Sequence, residues 1–387
     1  MDDFQLEKQE KSACFVYNGS VWQEKTMEIY KIVITGGPCA GKTTAMSWIQ
    51  NYFTSQGFTV LFIPETATEL ISGGVCPWTT GTNLDYQKCQ LQLQNTKEEI
   101  FDRAARTMNA DKVLIVCDRG FMDNKAYMND EEFQAAADFI NKNLVDLRDN
   151  YDAVFHLVTA ADGAAQFYTT ENNVARIETV EQAVEVDRKL IAAWSGHPHF
   201  VVIDNDTDFD RKLKKLIRAI SDFLNIDSPV DLEKHYLIRR PDVRKLMENA
   251  SCKVIDIVET YLYSPEGERS IRQRGDGSQY VCYETMIRPD GVKVESRRSE
   301  DEYLRLMEMA DKTIRPLHRT RYCFVYEQQY FEIDTFPFEE EYAFLQIRIR
   351  EDGEVIQFPP AVEVVRDITD DPEYTNIKIA QRQSLHI

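Results

Sequence analysis

The octet Gly36-Gly37-Pro38-Cys39-Ala40-Gly41-Lys42-Thr43 satisfies G-x-x-x-x-G-K-[ST] at each fixed position. Backbone amides of such a turn cradle phosphates, the lysine reaches the β and γ oxygens, and the hydroxyl residue ligates magnesium. The required context is present: the apolar run YKIVIT precedes the turn and a helical pattern follows it through Thr44. The expectation is a site for ATP or GTP with Mg2+, made by residues 36–44.

Six further positions bear on what happens to that phosphate. Asp118 ends the apolar run VLIVCD, at the edge of the sheet where the phosphate loop lies, and is expected to hold magnesium with Thr43. Arg119 follows it and is read either as a contact to the transferred phosphate or as a surface ion-pair partner. Glu65 ends VLFIPE in the equivalent place; a carboxylate there can take a proton from an acceptor hydroxyl, or can simply favour a helix N-terminus. Arg176 and Arg188 are the only arginines of the polar stretch 160–190, which reads as a lid whose arginine closes on phosphate, with a solvated helix as the alternative. Asn205, after FVVID, falls where a nucleotide base would rest, unless Asp206 or Thr207 merely caps a helix. The Asn-Lys-x-Asp guanine reader of regulatory GTPases is missing, since Asn124-Lys125-Ala126-Tyr127 lacks the aspartate.

These residues need a frame. Five short Val/Ile-rich runs lack polar alternation, as strands buried on both faces do: 30–35, 59–64, 112–117, 153–159 and 200–204. Amphipathic helical patterns alternate with them, which predicts a parallel α/β sheet over residues 29–225. Residues 1–28 read as an extension outside it, with no helix or strand periodicity up to residue 26 and no signal-peptide pattern.

After a linker at 226–230 the grammar changes to alternating strands and turns over 231–387. SPEGE, RGDGS, RPDGV and REDGE read as hairpin turns, and Ser299 with Glu302 as a capping box. This half holds 17 of the 25 arginines, and arginine forks suit phosphate. Arg272 with Arg274, Arg319 with Arg321, and Arg348 with Arg350 share strand faces, as do Asp231, Glu233 and His235. Two pictures follow. The arginines line an anion-binding tunnel, or they sit on a solvated face paired with neighbours such as Glu332 and Asp334.

The bulk numbers bound the partners. A chain of 387 residues, 43% hydrophobic, suits two folded domains. A net charge of −20 argues against nucleic acid and anionic lipid as long-range partners. The eight cysteines form no C-x-x-C pair, which speaks against zinc and fits reduced thiols in the cytoplasm. No apolar run is long enough to span a membrane, which leaves only peripheral membrane contact.

The phosphate loop with PETATELI, CDRGFMDNKAYM, FYTTENNVARIE and GHPHFVVIDN resembles the kinase-like P-loop domain related to ribosylnicotinamide kinases. LEKHYLI, ERSIRQRG, HRTRYCF, FEIDTF, FLQIRI and RDITDDPEYTNIKIA resemble the CYTH, or triphosphate tunnel, fold, an antiparallel β barrel with helices. The pairing of the two resembles the TRPL-translocation-defect family. That resemblance implies nucleotide binding in one half and phosphoinositide or other phosphate-rich ligand binding in the other, through Glu233, His235, Arg272, Arg274, Arg319, Arg321, Arg348 and Lys378. Where the CYTH family carries metal-binding glutamates, this sequence has Asp231-x-Glu233-x-His235 and Gln346-x-Arg348, which removes hard-cation ligands and counts against triphosphate hydrolysis.

Overall fold

The computed structural model describes residues 14–18, 21–25, 27–163, 179–206, 208–226, 233–249, 251–264, 267–277, 279–287, 293–349 and 353–385. It opens with a hairpin, β1 (Cys14–Asn18) against β2 (Val21–Lys25). The aperiodic reading of residues 1–26 missed this hairpin, which forms a separate two-stranded sheet.

The first domain follows the expected grammar. Its strands are β3 (Glu28–Thr35), β4 (Thr59–Ile63), β5 (Lys112–Asp118), β6 (Ala153–Leu157) and β7 (Phe200–Ile203), all parallel, in the order β4-β5-β3-β6-β7. Ile32, Val33, Ile34 and Val113 through Cys117 are fully buried. Each large apolar side chain so covered stabilises the fold by roughly 1.5–3 kcal/mol. Helices α1 (Lys42–Ser55) and α7 (Phe209–Phe223) cover one face through Ile49, Phe53, Leu216 and Ile220. The other face is covered by α3 (Asn83–Arg106), α4 (Asp130–Phe139), α5 (Leu144–Arg148) and α6 (Val180–Trp194), with Leu91, Phe133, Leu147 and Trp194 in the core. The short α2 (Thr66–Ser72) follows β4.

The second domain is a nine-stranded antiparallel sheet. In chain order its strands are β8 (Glu233–Arg239), β9 (Lys253–Tyr261), β10 (Glu268–Gly275), β11 (Tyr280–Ile287), β12 (Lys293–Arg298), β13 (Leu317–Tyr326), β14 (Gln329–Thr335), β15 (Tyr342–Arg348) and β16 (Val364–Asp367). They are arranged β12-β11-β10-β9-β13-β14-β15-β8-β16. Helices α8 (Val243–Met247), α9 (Glu300–Met307, with the Ser299/Glu302 capping box) and α10 (Asn376–Leu385) complete it. The first three hairpin signals fall between β9, β10, β11 and β12. The first three residues of REDGE lie outside the described residues; β15, before it, pairs with β14 and β8, and the next strand among the described residues is β16. A turn without glycine joins β13 to β14 instead, with Glu327 and Gln328 both left-handed at φ 46° and 59°.

Register sorts the side chains of this sheet. Arg274 faces Ile257 and Arg272 faces Glu259; Arg319 faces Ile257 and Arg321 faces Asp334; Gln346 faces Glu332 and His235, and Arg348 faces Glu233. Directly paired residues share a face, so these arginines and their acidic neighbours occupy one side. The opposite side is apolar, with Phe324, Phe331, Ile333 and Leu345. One end of the arginine face is covered by α10, where Ile379 and Ala380 pack on Tyr261, Leu317 and Phe336. The other end lies against the first domain.

Candidate functional site

The phosphate loop is built by glycines where no other residue fits. Gly36 has φ 143°, and a Cβ there would lie 2.1 Å from the Leu157 carbonyl oxygen. Gly41 has φ 92°, and a Cβ there would run into the Phe209 ring. Gly41 caps α1 without a side-chain hydrogen bond, so the first amides of the helix remain available to an anion. Lys42 folds back, donating to Gly36 O at 2.9 Å and Gly37 O at 3.3 Å. Burial, with Arg119 nearby, lowers its pKa to about 8. Thr43 and Thr44 are exposed on the first turn.

Two residues brace this loop that the sequence reading did not single out. Buried Asp187 accepts from the Gly37 amide at 2.7 Å and lies 3.1 Å from His156 Nε2. Buried Lys212 donates to Ala40 O, to Val158 O at 2.6 Å and to Asn205 Oδ1 at 2.7 Å. Asn205 is therefore corrected. Its amide nitrogen also donates to Thr159 O at 2.6 Å and Asp162 O at 2.7 Å, so the side chain ties the β6 and β7 ends together and its amide hydrogens are not free to read a base. Arg188 is exposed on α6 beside Asp187, and Arg176 lies outside the described residues.

Next to the loop stands a charge cluster. Asp118 has its Oδ1 buried without a hydrogen-bond partner among the described residues, and burial raises its pKa. An orphaned carboxylate oxygen near Lys42 fits a magnesium ion, together with the Thr43 hydroxyl. No cluster of three or more acidic, His or Cys groups exists among the described residues, so phosphate and water would supply the remaining ligands, as magnesium prefers. Arg119 takes the left-handed conformation, φ 71°, which is costly for a residue with a side chain and concentrates at functional sites. Its guanidinium is neither solvated nor free: Nε donates to Glu65, and Nη1 donates to Asp123 at 3.0 Å. Glu65 caps α2 and also accepts from Thr68 at 2.7 Å. Burial pushes its pKa up, but Arg119 and Lys42 outweigh that and hold it at about 2.

Asp123, on the 3-10 helix Phe121–Tyr127, organises this cluster. Besides Arg119 it accepts from Thr35, from the Gly120 amide at 2.9 Å and from the Trp194 indole at 3.1 Å. Near Glu65, α3 presents Tyr86, whose hydroxyl is buried without a hydrogen-bond partner among the described residues; the amide oxygen of the next residue, Gln87, is likewise without one among them. Deeper on that helix Gln90 and Gln94 bond Asn124, and Glu98 accepts from Tyr151 at 2.8 Å. A signal existed in the sequence: Gln87, Gln90, Gln94 and Glu98 recur at helical spacing, a polar stripe where a core stripe is expected.

On the second domain the arginines are already paired. Arg319 donates to Glu259 at 2.8 Å; Arg321 bridges Glu332 at 2.5 Å and Asp334 at 2.7 Å; Arg272 meets Glu295 at 2.6 Å; Arg348 lies 3.7 Å from Glu233. The ion pairing of the second sequence picture is seen: acidic neighbours on the same face pair with the arginines, Arg319 and Arg321 largely buried and Arg348 40% exposed. Nε of Arg319 lies 3.3 Å from the Asp334 carboxylate, whereas Nε of Arg272 is buried without a hydrogen bond among the described residues. His235 is half exposed beside Glu233, and Lys378 is exposed on α10. Arg274 is corrected as a free tunnel ligand: it donates to Gly196 O at 2.6 Å and Asp149 at 3.2 Å, both in the first domain. A crevice of about 480 Å³, counting its open mouth, runs between the domains along His199, Phe200, Phe223, Glu233, Glu332 and Arg348.

The first domain is P-loop NTPase-like, with the parallel sheet and the phosphate loop in place. Residues 31–212 match the family model described as an AAA domain. Among solved structures, a deoxyadenosine kinase from M. mycoides with bound dATP is 15% identical, covering 50% of this chain and 99% of its own, at a TM-score of 0.36. The inorganic triphosphatase NE1496 is 18% identical, covering 40% of this chain and 96% of its own, at a TM-score of 0.29. No curated protein matches the sequence.

Proposed function

We propose that the first domain binds ATP or GTP with Mg2+ and transfers the terminal phosphoryl group to a small hydroxyl-bearing acceptor, while the arginine face of the second domain binds a phosphate-rich ligand. The observation that carries the first half is the clamped pair Glu65–Arg119 beside Lys42 and the orphaned Asp118 oxygen. Lys42 and the loop amides would hold the β and γ phosphates, and Thr43 and Asp118 would hold the metal, which when bound would supply charge neutralisation at the phosphoryl oxygens. Arg119 is anchored with its charge toward the same place, and Glu65 stays ionised to accept the acceptor hydroxyl. A carboxylate held at about 2 is a weak base. In a loose phosphoryl-transfer transition state, however, orienting the hydroxyl matters more than early proton removal. Tyr86 and Gln87 offer the acceptor polar atoms that have no hydrogen-bond partner among the described residues.

The second half rests on the Nε of Arg272, buried without a hydrogen bond among the described residues, a donor that an anion would satisfy. Phosphoinositide headgroups and inositol phosphates share that chemistry. A second reading, a nucleotide-controlled phosphoinositide adaptor without transfer, draws support from α6. It touches the phosphate loop through Asp187 and runs into Gly196 at the domain junction. Tunnel triphosphatase activity has less support, because Gln346 accepts from Arg321 and Arg348 pairs with Glu233 where metal carboxylates would be needed. The deciding experiment is a screen of small hydroxyl acceptors with ATP and with GTP, phosphate release being followed in parallel. Transfer to any acceptor supports the kinase reading; nucleotide binding without transfer or release supports the adaptor.

A further inference from the structure

The junction between the domains has the chemistry of an occupied anion site. Asp149, after α5, and its neighbour Arg148 are buried there. The Asp149 carboxylate accepts from Arg148 Nε at 2.7 Å and from Arg274 Nη1 of the second domain at 3.2 Å, and its side chain is 0% exposed. Arg274 spends its remaining reach on the Gly196 carbonyl. Tyr330, on the same face of the sheet, accepts from the Gly196 amide at 3.1 Å, and its ring meets Phe200 edge-on. Gly196 is left-handed, and a Cβ there would lie 3.0 Å from Ile255 of the second domain, so the backbone is pressed against the sheet. At the rim, Arg297 pairs with Asp146 and donates to Asp149 O at 3.2 Å. Val145 packs on Val281 and Tyr283.

Ile255, Arg274, Val281, Tyr283, Arg297 and Tyr330 all lie on the arginine face by register. The first domain therefore closes one end of that face, and an acidic side chain leads the closure. We propose that the loops following α5 and α6 are a built-in plug: the Asp149 carboxylate holds, in cis, a position beside Arg274 that a phosphate group of an incoming polyanion would take, so that full access to the arginine face requires the first domain to lift from its seat. This inference rests on the reading that the face binds anions, and it adds how that binding is controlled. Closure is cheap to reverse at the rim, where Asp146 and Arg297 are about a third exposed, and expensive at the centre, where uncovering Asp149 without a replacement anion strands Arg274. A polyphosphate supplies that replacement as it enters.

The test uses the full chain with sodium tripolyphosphate as the probe, read by calorimetry and by amide hydrogen exchange. Two mild variants loosen the seat without stranding a buried charge: Asp146→Ala at the rim, and Tyr330→Phe, which removes the acceptor of the Gly196 amide. Expected is faster exchange of residues 144–150 and 195–199 when tripolyphosphate binds. The double variant, folded by circular dichroism, should bind the probe about two- to fivefold tighter, the effect of a partly exposed ion pair and one hydrogen bond. Binding seen only in the double variant supports the plug as well. Tripolyphosphate binding with unchanged exchange at both loops and no gain in the variant overturns the plug and leaves the anion reading standing. No binding by either protein overturns both.

Discussion

The Trp194 indole N–H donates to Asp123 at 3.1 Å, and the same carboxylate receives Arg119 at 3.0 Å. The end of α6 and the charge cluster beside the phosphate loop are thus held by one buried side chain. Asp123→Ala should strip four donors of their acceptor at once and leave the buried Arg119 guanidinium with Glu65 as its remaining bonded partner. The expected loss is about 3–5 kcal/mol in chemical denaturation. Trp194→Phe, which removes one neutral donor and trims the ring, should cost less. Equal and small losses for the two would mean that Asp123 does not organise the cluster.

Lys42→Ala should abolish nucleotide binding and any turnover while the fold is kept, since Lys42 is the cation folded directly onto the loop. Calorimetric titration with ATP and GTP reads the result. A folded variant with unchanged affinity would place the nucleotide elsewhere.

Glu65→Gln and Asp118→Asn separate positioning from metal binding. Glu65→Gln should lower turnover at least tenfold with nucleotide affinity nearly unchanged, because its role is confined to the acceptor side. Asp118→Asn should raise the magnesium concentration needed for half-maximal binding or rate. If both changes act only on stability, Glu65 is a helix cap and an arginine clamp and nothing more.

Acid should weaken the junction of the two domains in two successive windows. Burial lowers the His197 pKa from 6.5 to about 3, with Asp149, His199 and Arg274 facing it, and its ring accepts from the His199 amide while facing the Tyr151 carbonyl. Below about pH 6.5 the unfolded chain therefore takes up a proton that the folded chain refuses, and stability falls with pH down to about 3. Asp149 is held at about 2 by Arg148 and Arg274 despite its burial, so its contribution is complete above about 3.8 and disappears toward 2. The His197 part should reach about 2–3 kcal/mol at pH 4.5 relative to pH 7. Urea denaturation at the two pH values measures it. His197→Gln, less stable at pH 7, should lose less between them; an identical slope in the variant would remove His197 from the account.

Arg321→Met should destabilise the second domain by about 3–5 kcal/mol, since it leaves Glu332 and Asp334 buried without their shared cation. Arg321→Glu should be worse still, with three carboxylates together. An empty tunnel lined by mutually repelling arginines would give the reverse: charge reversal without cost. Thermal denaturation of the full-length variants distinguishes the two.

The parallel sheet was legible because each of its strands is a continuous Val/Ile run, and because a phosphate loop needs a strand before it and a helix after it. Glu65 and Asp118 were legible for the same reason: they end strands that point at the loop. The arginine pairs were legible as pairs, since strand alternation puts residues two apart on one face. Their partners were not. Arg274 meets Asp149 across 125 residues of sequence, and strand alternation says nothing about a residue in another domain. Asn205 misled because a polar residue after a strand looks alike whether it reads a ligand or ties two loop ends, and only the position of Lys212 decides. The β13–β14 turn was missed because its left-handed residues are Glu327 and Gln328, without the glycine or asparagine that announces such turns.

The seating of Gly196 against Ile255 and Tyr330 bears on any attempt to study the halves apart. A chain cut after residue 226 would expose Val281, Tyr283 and Tyr330 to water on one fragment and Val145 and Phe200 on the other. It would also leave Arg274 without its carboxylate and strip Asp149 of one of its two arginines, Arg148 remaining. Such fragments invite aggregation and nonspecific capture of anions by the very surface whose selectivity is in question. An affinity measured on the isolated second half would report the wound as much as the site. The two halves, legible as separate grammars in sequence, are physically one object along this seam, and the intact chain is the smallest unit in which either site can be assayed in its native surroundings.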